Sequence, residues 1–207
     1  MKISVIIPVY NQEILLKRAL DSIPNRDDIE IIVIDDGSED KSHENAVNWM
    51  FQNLDRQNTI IIPKKREHKG IAYTVNQGYD IASGEYIVLI GSDDYFYTEE
   101  FEKCINELDG TDLVYFNADI NNGELWDLNE NTAELLCGSY RFTKRDLIGN
   151  DRCENTNYGE DRTLWDKIKV KPHTTKYTHL LVKHYNHPRS GSISDQHNKG
   201  EIWETNQ

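Results

Sequence analysis

The sequence predicts an α/β fold: a doubly wound, mostly parallel β-sheet followed by an α+β extension. Short, nearly continuous β-branched runs recur along the first half, at residues 3–9, 29–34, 59–62 and 86–90. Such runs are typical of strands that are covered on both faces. Segments of helical length lie between them, at residues 12–22, 40–54 and 70–83. This alternation, closed by a strand at 112–116, indicates parallel strands joined by right-handed crossovers.

The alternation fades after residue 116. Residues 117–134 are polar, 143–149 and 160–168 have a helical pattern, and 176–185 has the pattern of a strand. We expect this part to pack on the sheet within a single domain spanning 1–207. An independent second domain of about 90 residues is the alternative, which is disfavoured because no linker separates the halves.

Composition and charge restrict the partners. The 207 residues are 37% hydrophobic and carry a net charge of −13, so the chain as a whole repels phosphate backbones and we expect no nucleic-acid partner. The apolar N-terminal run is too short for a signal peptide or a membrane span, which favours a cytoplasmic protein with no transmembrane segment. Cys104, Cys137 and Cys153 share no metal-ligand spacing and fit reduced, structural thiols.

Two of the predicted parallel strands end in paired acids, and ligands bind beyond such strand ends in open parallel sheets. The first strand ends in Pro8, Val9, Tyr10 and Asn11, the second in Asp35 and Asp36, and the fourth in Gly91, Ser92, Asp93 and Asp94. Carboxylates there suit Mg²⁺ or Mn²⁺ shared with substrate phosphates. A plain surface turn remains the alternative for each end taken singly. Neither a Gly-rich dinucleotide motif nor a P-loop is present.

Several segments in order resemble the family 2 glycosyltransferases, which have the GT-A fold. They read ISVIIPVYN, VIDDGS, SGEYIVLIGSDD, GEDRTLW and HYNHPRSGSIS, and together they cover nearly the whole chain. The resemblance implies an inverting, metal-assisted enzyme that transfers one sugar from a nucleotide-sugar donor, UDP-linked, to a glycan or other hydroxyl acceptor. It also implies a nucleotide-sugar-binding half at 1–116 and an acceptor-side half at 117–207. A homo-oligomer would be one way to complete the acceptor site.

The resemblance also implies roles for individual residues. Asp35 would accept a hydrogen bond from the base, while Asp36 would be a turn residue. The donor-binding residues would be Pro8, Val9, Tyr10, Asn11, Asp35, Lys69, Ser92, Asp93 and Arg189. The ligands of a Mn²⁺ or Mg²⁺ cofactor would be Asp93, Asp94 and His187.

The metal motif departs from the family pattern, D-x-D, because Gly91 stands where the first Asp is expected. Asp93 aligns with the direct ligand of the family. Loss of the first carboxylate is expected to weaken metal binding by about 10–100-fold, the scale for supporting contacts at metal sites.

The resemblance makes Asp161 the general base, with Glu160 as the second candidate. An inverting transfer needs one carboxylate near the acceptor hydroxyl. Acids that simply stabilise the start of a helix are the alternative interpretation of this pair. Aromatic residues that could stack on a sugar acceptor cluster in the second half, namely Trp126, Tyr140, Tyr158 and Trp165. We expect Trp165 to be part of the core.

Two other functions fit parts of the sequence. A catalytically impaired GT-A-fold protein that binds nucleotide sugars or glycans would account for Gly91. A nucleotidyltransferase is disfavoured, because its Gly-rich, basic loop after the first strand is replaced by PVYNQEI.

Overall fold

A mixed β-sheet organises the chain in a computed structural model, which describes residues 2–56, 58–62, 67–133, 140–156 and 160–186. The strands are β1 (Ile3–Val9), β2 (Ile29–Asp35), β3 (Thr59–Ile62), β4 (Tyr86–Leu89), β5 (Tyr95–Phe96), β6 (Leu113–Ile120), β7 (Leu125–Trp126), β8 (Arg141–Lys144) and β9 (Thr175–Tyr185). The helices are α1 (Leu16–Asp21), α2 (Ser42–Gln52), α3 (Ile71–Ile81), α4 (Thr98–Asn106), α5 (Arg145–Ile148) and α6 (Glu160–Ile168).

The strand order is β3-β2-β1-β4-β8-β6-β9-β5, and β7 pairs with β6. Strands β3, β2, β1 and β4 are parallel, as the sequence predicts. Strand β8 is antiparallel to both β4 and β6, so β6 and its parallel neighbour β9 run in the same direction as β4. The carboxyl ends of β1, β2, β4, β6 and β9 therefore lie along one edge of the sheet.

Burial explains why the central strands form where they do. Every residue of β2 is buried, as is every residue of β1 except Pro8. Helix α3 packs on both strands, and Gly78 makes the close approach possible, because a Cβ there would lie 2.5 Å from Ile6 Cγ2 and 3.2 Å from Ile34 Cδ1. The core thus rests on β-branched strands under a tightly apposed helix.

The structure corrects several predicted elements. Helix α1 starts at Leu16 rather than at residue 12, because the N–H groups of Gln12 and Glu13 donate to Ser42, the first residue of α2, and to Asp40 in the loop before it. The predicted helix at 143–149 is divided between β8 and α5. Helix α4 was not predicted, although its buried residues follow helical spacing: Phe101, Cys104 and Ile105. No helix in the described ranges is long and apolar enough to cross a membrane.

Candidate functional site

The ends of β1 and β2 form one joined surface. Val9 is paired with Asp35 in the parallel register, and the Val9 carbonyl accepts a hydrogen bond from Asp36 N at 2.8 Å. Asn11 adopts the left-handed conformation (φ 51°); its N–H donates to Ser38 Oγ at 2.9 Å, and its Oδ1 accepts from Glu39 N at 2.8 Å. The Asn11 side chain thus fastens the two loops together.

Tyr10 presents the aromatic surface of this region. It is 39% exposed, and its ring stacks on His68 with centroids 3.9 Å apart and planes inclined by 22°. Val9 is buried and Pro8 is half-buried, so the exposed residues of the predicted segment 8–11 are Tyr10 and Asn11.

The two acids after β2 have different partners. Asp35 is buried; its Oδ1 accepts from Ser38 N at 2.7 Å, while its Oδ2 has no hydrogen-bond partner within the described residues. Asp36 accepts from Lys69 N at 2.9 Å and from Gly70 N at 2.8 Å, and its Oδ2 lies 2.9 Å from His68 Nδ1. Asp36 therefore fixes the loop that leads into α3. Asp35 Oδ2 has no hydrogen-bond partner among the described residues.

Lys69 was predicted from the loop before α3. Its backbone N–H is the donor to Asp36, and its exposed side chain reaches over the ring of Tyr73, with Nζ 5.0 Å from the centroid. A cavity beside it is lined by Lys69, Tyr73, Asn76, Cys153 and Asn155. The neighbouring basic residues, 64–66, lie outside the described residues.

The acids after β4 are equally unlike. Asp94 is buried and forms an ion pair with the buried Lys183, with Nζ and Oδ2 2.9 Å apart, while its Oδ1 accepts from Asn186 N at 3.0 Å. Asp93 is half-buried, and its carbonyl accepts from Arg18 Nη2 at 2.6 Å. Both oxygens of Asp94 are thus engaged by the protein, and Asp93 is the less buried acid of the pair.

Gly91 shapes this loop. A Cβ at Gly91 would lie 2.9 Å from Asp94 Oδ2 and 3.0 Å from Asp93 Oδ1. A side chain at position 91, where the family motif has its first Asp, would therefore lie against the carboxylates of Asp93 and Asp94. Ser92, between Gly91 and Asp93, is buried.

Three neighbouring strands carry a polar group at the same edge. Tyr95 of β5, His184 of β9 and Asp119 of β6 are aligned in register. His184 stacks on Tyr95 with centroids 4.7 Å apart, and its Nδ1 and Nε2 lie 2.9 Å from Asp119 Oδ1 and Asn121 Oδ1. His184 is thus built into the sheet edge, whereas His187, Arg189 and Ser190 lie outside the described residues.

The acid pair predicted as catalytic opens α6. Burial first, and then the negative charge of Asp161, raise the pKa of Glu160 to about 7. Asp161 Oδ1 accepts from Arg162 N at 2.8 Å, and Glu160 O accepts from Thr163 Oγ1 at 2.6 Å. Burial also raises the pKa of the nearby Cys153 thiol to about 12, which makes it an inert neighbour.

The aromatic residues of the second half separate into core and surface. Trp165 is buried, as predicted, beneath the guanidinium of Arg141, whose Cζ lies 4.8 Å from the ring. Tyr140 is also buried, and Trp126 is half-buried with its ring 5.5 Å from that of Tyr140. Tyr158 lies outside the described residues.

Sequence reasoning missed several side chains of this edge: Arg18, His43, His68, Arg141 and Lys183. Their contacts join segments far apart in the chain, such as Arg18 with Asp93 and Lys183 with Asp94. Local patterns indicate such residues only as surface or strand positions.

Comparison with known proteins decides the family. The profile of the family described as glycosyl transferase family 2 matches residues 4–174. The chain belongs to this family. The mixed, mostly parallel sheet of this family 2 chain agrees with the fold of solved GT-A proteins, which confirms the predicted fold class.

Two curated relatives are similar in sequence. The GalNAc(5)-diNAcBac-PP-undecaprenol beta-1,3-glucosyltransferase of Campylobacter jejuni is 27% identical over 214 positions, covering 93% of this chain and 67% of that protein. The poly(ribitol-phosphate) beta-glucosyltransferase of Bacillus spizizenii is 37% identical over 112 positions, covering 51% of this chain and 17% of that protein. The family 2 chain thus spans only part of these relatives.

Two solved structures share the fold. S. aureus TarS 1-349 in complex with UDP-GlcNAc superimposes with a TM-score of 0.79 at 19% identity, over 94% of this chain and 61% of that one. The mannosyltransferase PcManGT of Pyrobaculum calidifontis, in complex with GDP-Man and Mn²⁺, gives 0.69 at 20% identity, over 92% and 58%.

Proposed function

We propose that this chain transfers a single sugar from a UDP-linked donor to a hydroxyl acceptor, with inversion at the anomeric carbon. Family membership supports glycosyl transfer. The names of the two curated relatives describe glucosyltransferases, and TarS was solved with UDP-GlcNAc, so a UDP-hexose is the donor class we favour.

The ends of β1 and β2 suit the nucleotide. Tyr10, which is 39% exposed, offers an aromatic ring for a base, and Asp35 offers a buried carboxylate oxygen without a hydrogen-bond partner among the described residues. A buried acceptor without a partner costs free energy unless a ligand donates to it. The other predicted donor contacts stay proposals: Pro8, Val9, Asn11, Lys69, Ser92, Asp93 and Arg189.

The acid pair at the start of α6 is the observation that carries the proposal. The pKa of Glu160 is raised to about 7 by burial first and then by the negative charge of Asp161 beside it. We therefore assign Asp161 as the base that takes the acceptor's hydroxyl proton, with Glu160 as its neighbour. As that proton leaves, the acceptor oxygen bonds to the anomeric carbon and the bond to the diphosphate breaks, releasing UDP.

The residues present fit a divalent ion held by few protein ligands. The parts of the chain that the structure describes contain no cluster of three His, Cys, Asp or Glu side chains able to hold a metal. Mg²⁺ and Mn²⁺ nevertheless commonly rely on one or two carboxylates together with substrate phosphates. Asp93 is half-buried and suits this role, His187 is a further proposed ligand, and Asp94 would first have to leave Lys183 and Asn186.

A bound divalent ion would offset the charge of the leaving diphosphate. Titration of UDP with and without Mn²⁺ tests the assignment to Asp93. We expect Mn²⁺ to strengthen UDP binding to the wild type and to have little effect in Asp93→Ala. Equal UDP affinity with and without Mn²⁺ in the wild type would contradict it.

Nucleotide release from a panel of UDP-, GDP- and TDP-sugars tests the reaction. Asp161→Asn should abolish turnover and leave UDP affinity nearly unchanged, because the base acts on the acceptor rather than on the nucleotide. Asp166→Asn is the matched control: it changes an exposed acid of the same helix whose partner is Lys169. More than a few per cent of turnover in Asp161→Asn would refute the assignment.

One observation favours a second function, a catalytically impaired protein that binds nucleotide sugars. The first metal-motif acid is absent at Gly91, and Asp94 is neutralised by Lys183. This alternative predicts binding of UDP-sugars without turnover by the wild-type chain, so the same panel separates the two functions.

A further inference from the structure

Two buried polar atoms face each other beyond the end of β2. Asp35 Oδ2 and His43 Nδ1 are both buried, both lack a hydrogen-bond partner within the described ranges, and lie 3.9 Å apart. That separation is too long for a hydrogen bond between them. One atom is an acceptor, and the other is a donor in the Nδ1–H tautomer.

Both atoms are carried by well-fixed segments. Asp35 is the last residue of β2, and Ser38 N holds its other oxygen at 2.7 Å, which fixes the carboxylate plane. His43 is the second residue of α2, directly after Ser42, whose N–H donates to Asp40 and whose Oγ accepts from Gln12 N at 2.7 Å. The gap between the two atoms is thus set by the loops around them.

Most buried polar side-chain atoms in folded proteins have partners, and the exceptions often mark sites where a ligand supplies the missing group. Here an acceptor and a donor stand side by side. The complementary ligand edge is an N–H next to a carbonyl oxygen. Uracil has this edge, because its ring N3–H is flanked by carbonyls, whereas cytosine has an unprotonated N3 beside an amino group.

We propose that His43 completes the base contact that the family resemblance implies for Asp35: where Asp35 accepts from the ring N–H, His43 Nδ1–H donates to the adjacent carbonyl of the base. The inference rests on the proposed function, and it makes His43 a residue that determines specificity for uracil over cytosine. Cytosine would set its ring nitrogen against the Asp35 oxygen, so UDP and CDP, which share ribose and diphosphate, should differ in affinity.

Calorimetric titration of UDP and CDP tests the inference. Wild type should prefer UDP, and His43→Ala should weaken UDP about tenfold, the equivalent of one hydrogen bond, while CDP changes little. His43→Gln keeps a donor and should retain most of the preference. Asn48→Ala, an exposed change on the same helix, should leave both affinities unchanged.

A double-mutant cycle separates direct contact from an effect through Asp35. If His43 contacts the base, His43→Ala should still weaken UDP in an Asp35→Asn background. No further loss in that background, or an unchanged UDP-to-CDP ratio in His43→Ala, would overturn the inference alone. Failure of wild type to bind any nucleoside diphosphate would overturn the proposed function as well.

Discussion

The acid pairs after β2 and β4 are alike in sequence, and in both pairs the protein engages the second acid. In each pair the second acid is fully engaged by the protein, Asp36 by the approach to α3 and Asp94 by Lys183 and Asn186. The first acids differ from them: Asp35 Oδ2 has no hydrogen-bond partner among the described residues, and Asp93 is half-buried where Asp94 is buried. The pairs differ in what the second acid holds: backbone N–H groups in one, a buried ammonium in the other.

The comparison teaches that adjacent carboxylates at a strand end need not share a task. At the end of β2, and in the turn that the Asp94 N–H closes on Gly91 O at 3.0 Å, the second acid anchors a loop while its neighbour has different surroundings. The anchoring acid then limits the movement of the other.

Removing the buried ammonium should produce the largest effect. Lys183→Met leaves Asp94 buried without its partner and should lower the free energy of unfolding by about 3–5 kcal/mol in chemical denaturation. Adding Asp94→Asn should recover much of the loss. Lys176→Met, which breaks a surface ion pair on the same strand, should change stability far less. Equal losses in Lys183→Met and Lys176→Met would contradict the role of the buried pair.

Removing the Asp36 carboxylate should lower the free energy of unfolding by less than Lys183→Met does. Asp36→Ala removes the acceptor of Lys69 N and Gly70 N and should cost about 2–3 kcal/mol, as for hydrogen bonds to a charged group. Asp35→Asn keeps an oxygen for Ser38 N and should change the free energy of unfolding by less than about 1 kcal/mol. A larger loss of stability in Asp35→Asn than in Asp36→Ala would contradict the anchoring role of Asp36.

The raised pKa of Glu160, at the start of α6, predicts how stability depends on pH. Glu160 has its pKa raised from 4.5 to about 7, so between these values the folded chain keeps a proton that the unfolded chain has lost. Stability should therefore fall as pH rises through this window. Glu160→Gln removes the effect and should stabilise the chain by about 1–2 kcal/mol at pH 8, with little change at pH 4, in thermal unfolding. Equal stabilisation at both pH values would argue against the raised pKa.

The sequence was sufficient for the parallel half of the sheet, for the strand ends and for α6, because these follow from local hydrophobic runs and motif order. The resemblance implied different roles for the members of each pair, but the sequence could not show which protein groups engage each acid. The partner of Asp94 lies on β9, far along the chain, and the group facing Asp35 lies on α2. The insertion of β8 between β4 and β6 is likewise non-local, since its pairing partners are residues 86–87 and 113–115.

Binding of UDP in the presence of Mn²⁺ to four single variants tests most directly whether the first acid of each pair contacts the ligand and the second anchors the loop. Asp35→Asn and Asp93→Asn should weaken UDP about tenfold or more, the loss of one charged contact, at little cost in stability. Asp36→Asn and Asp94→Asn should bind UDP within about threefold of wild type at temperatures where they remain folded. Wild-type affinity in Asp35→Asn and Asp93→Asn, with loss in folded Asp36→Asn and Asp94→Asn, would contradict the account.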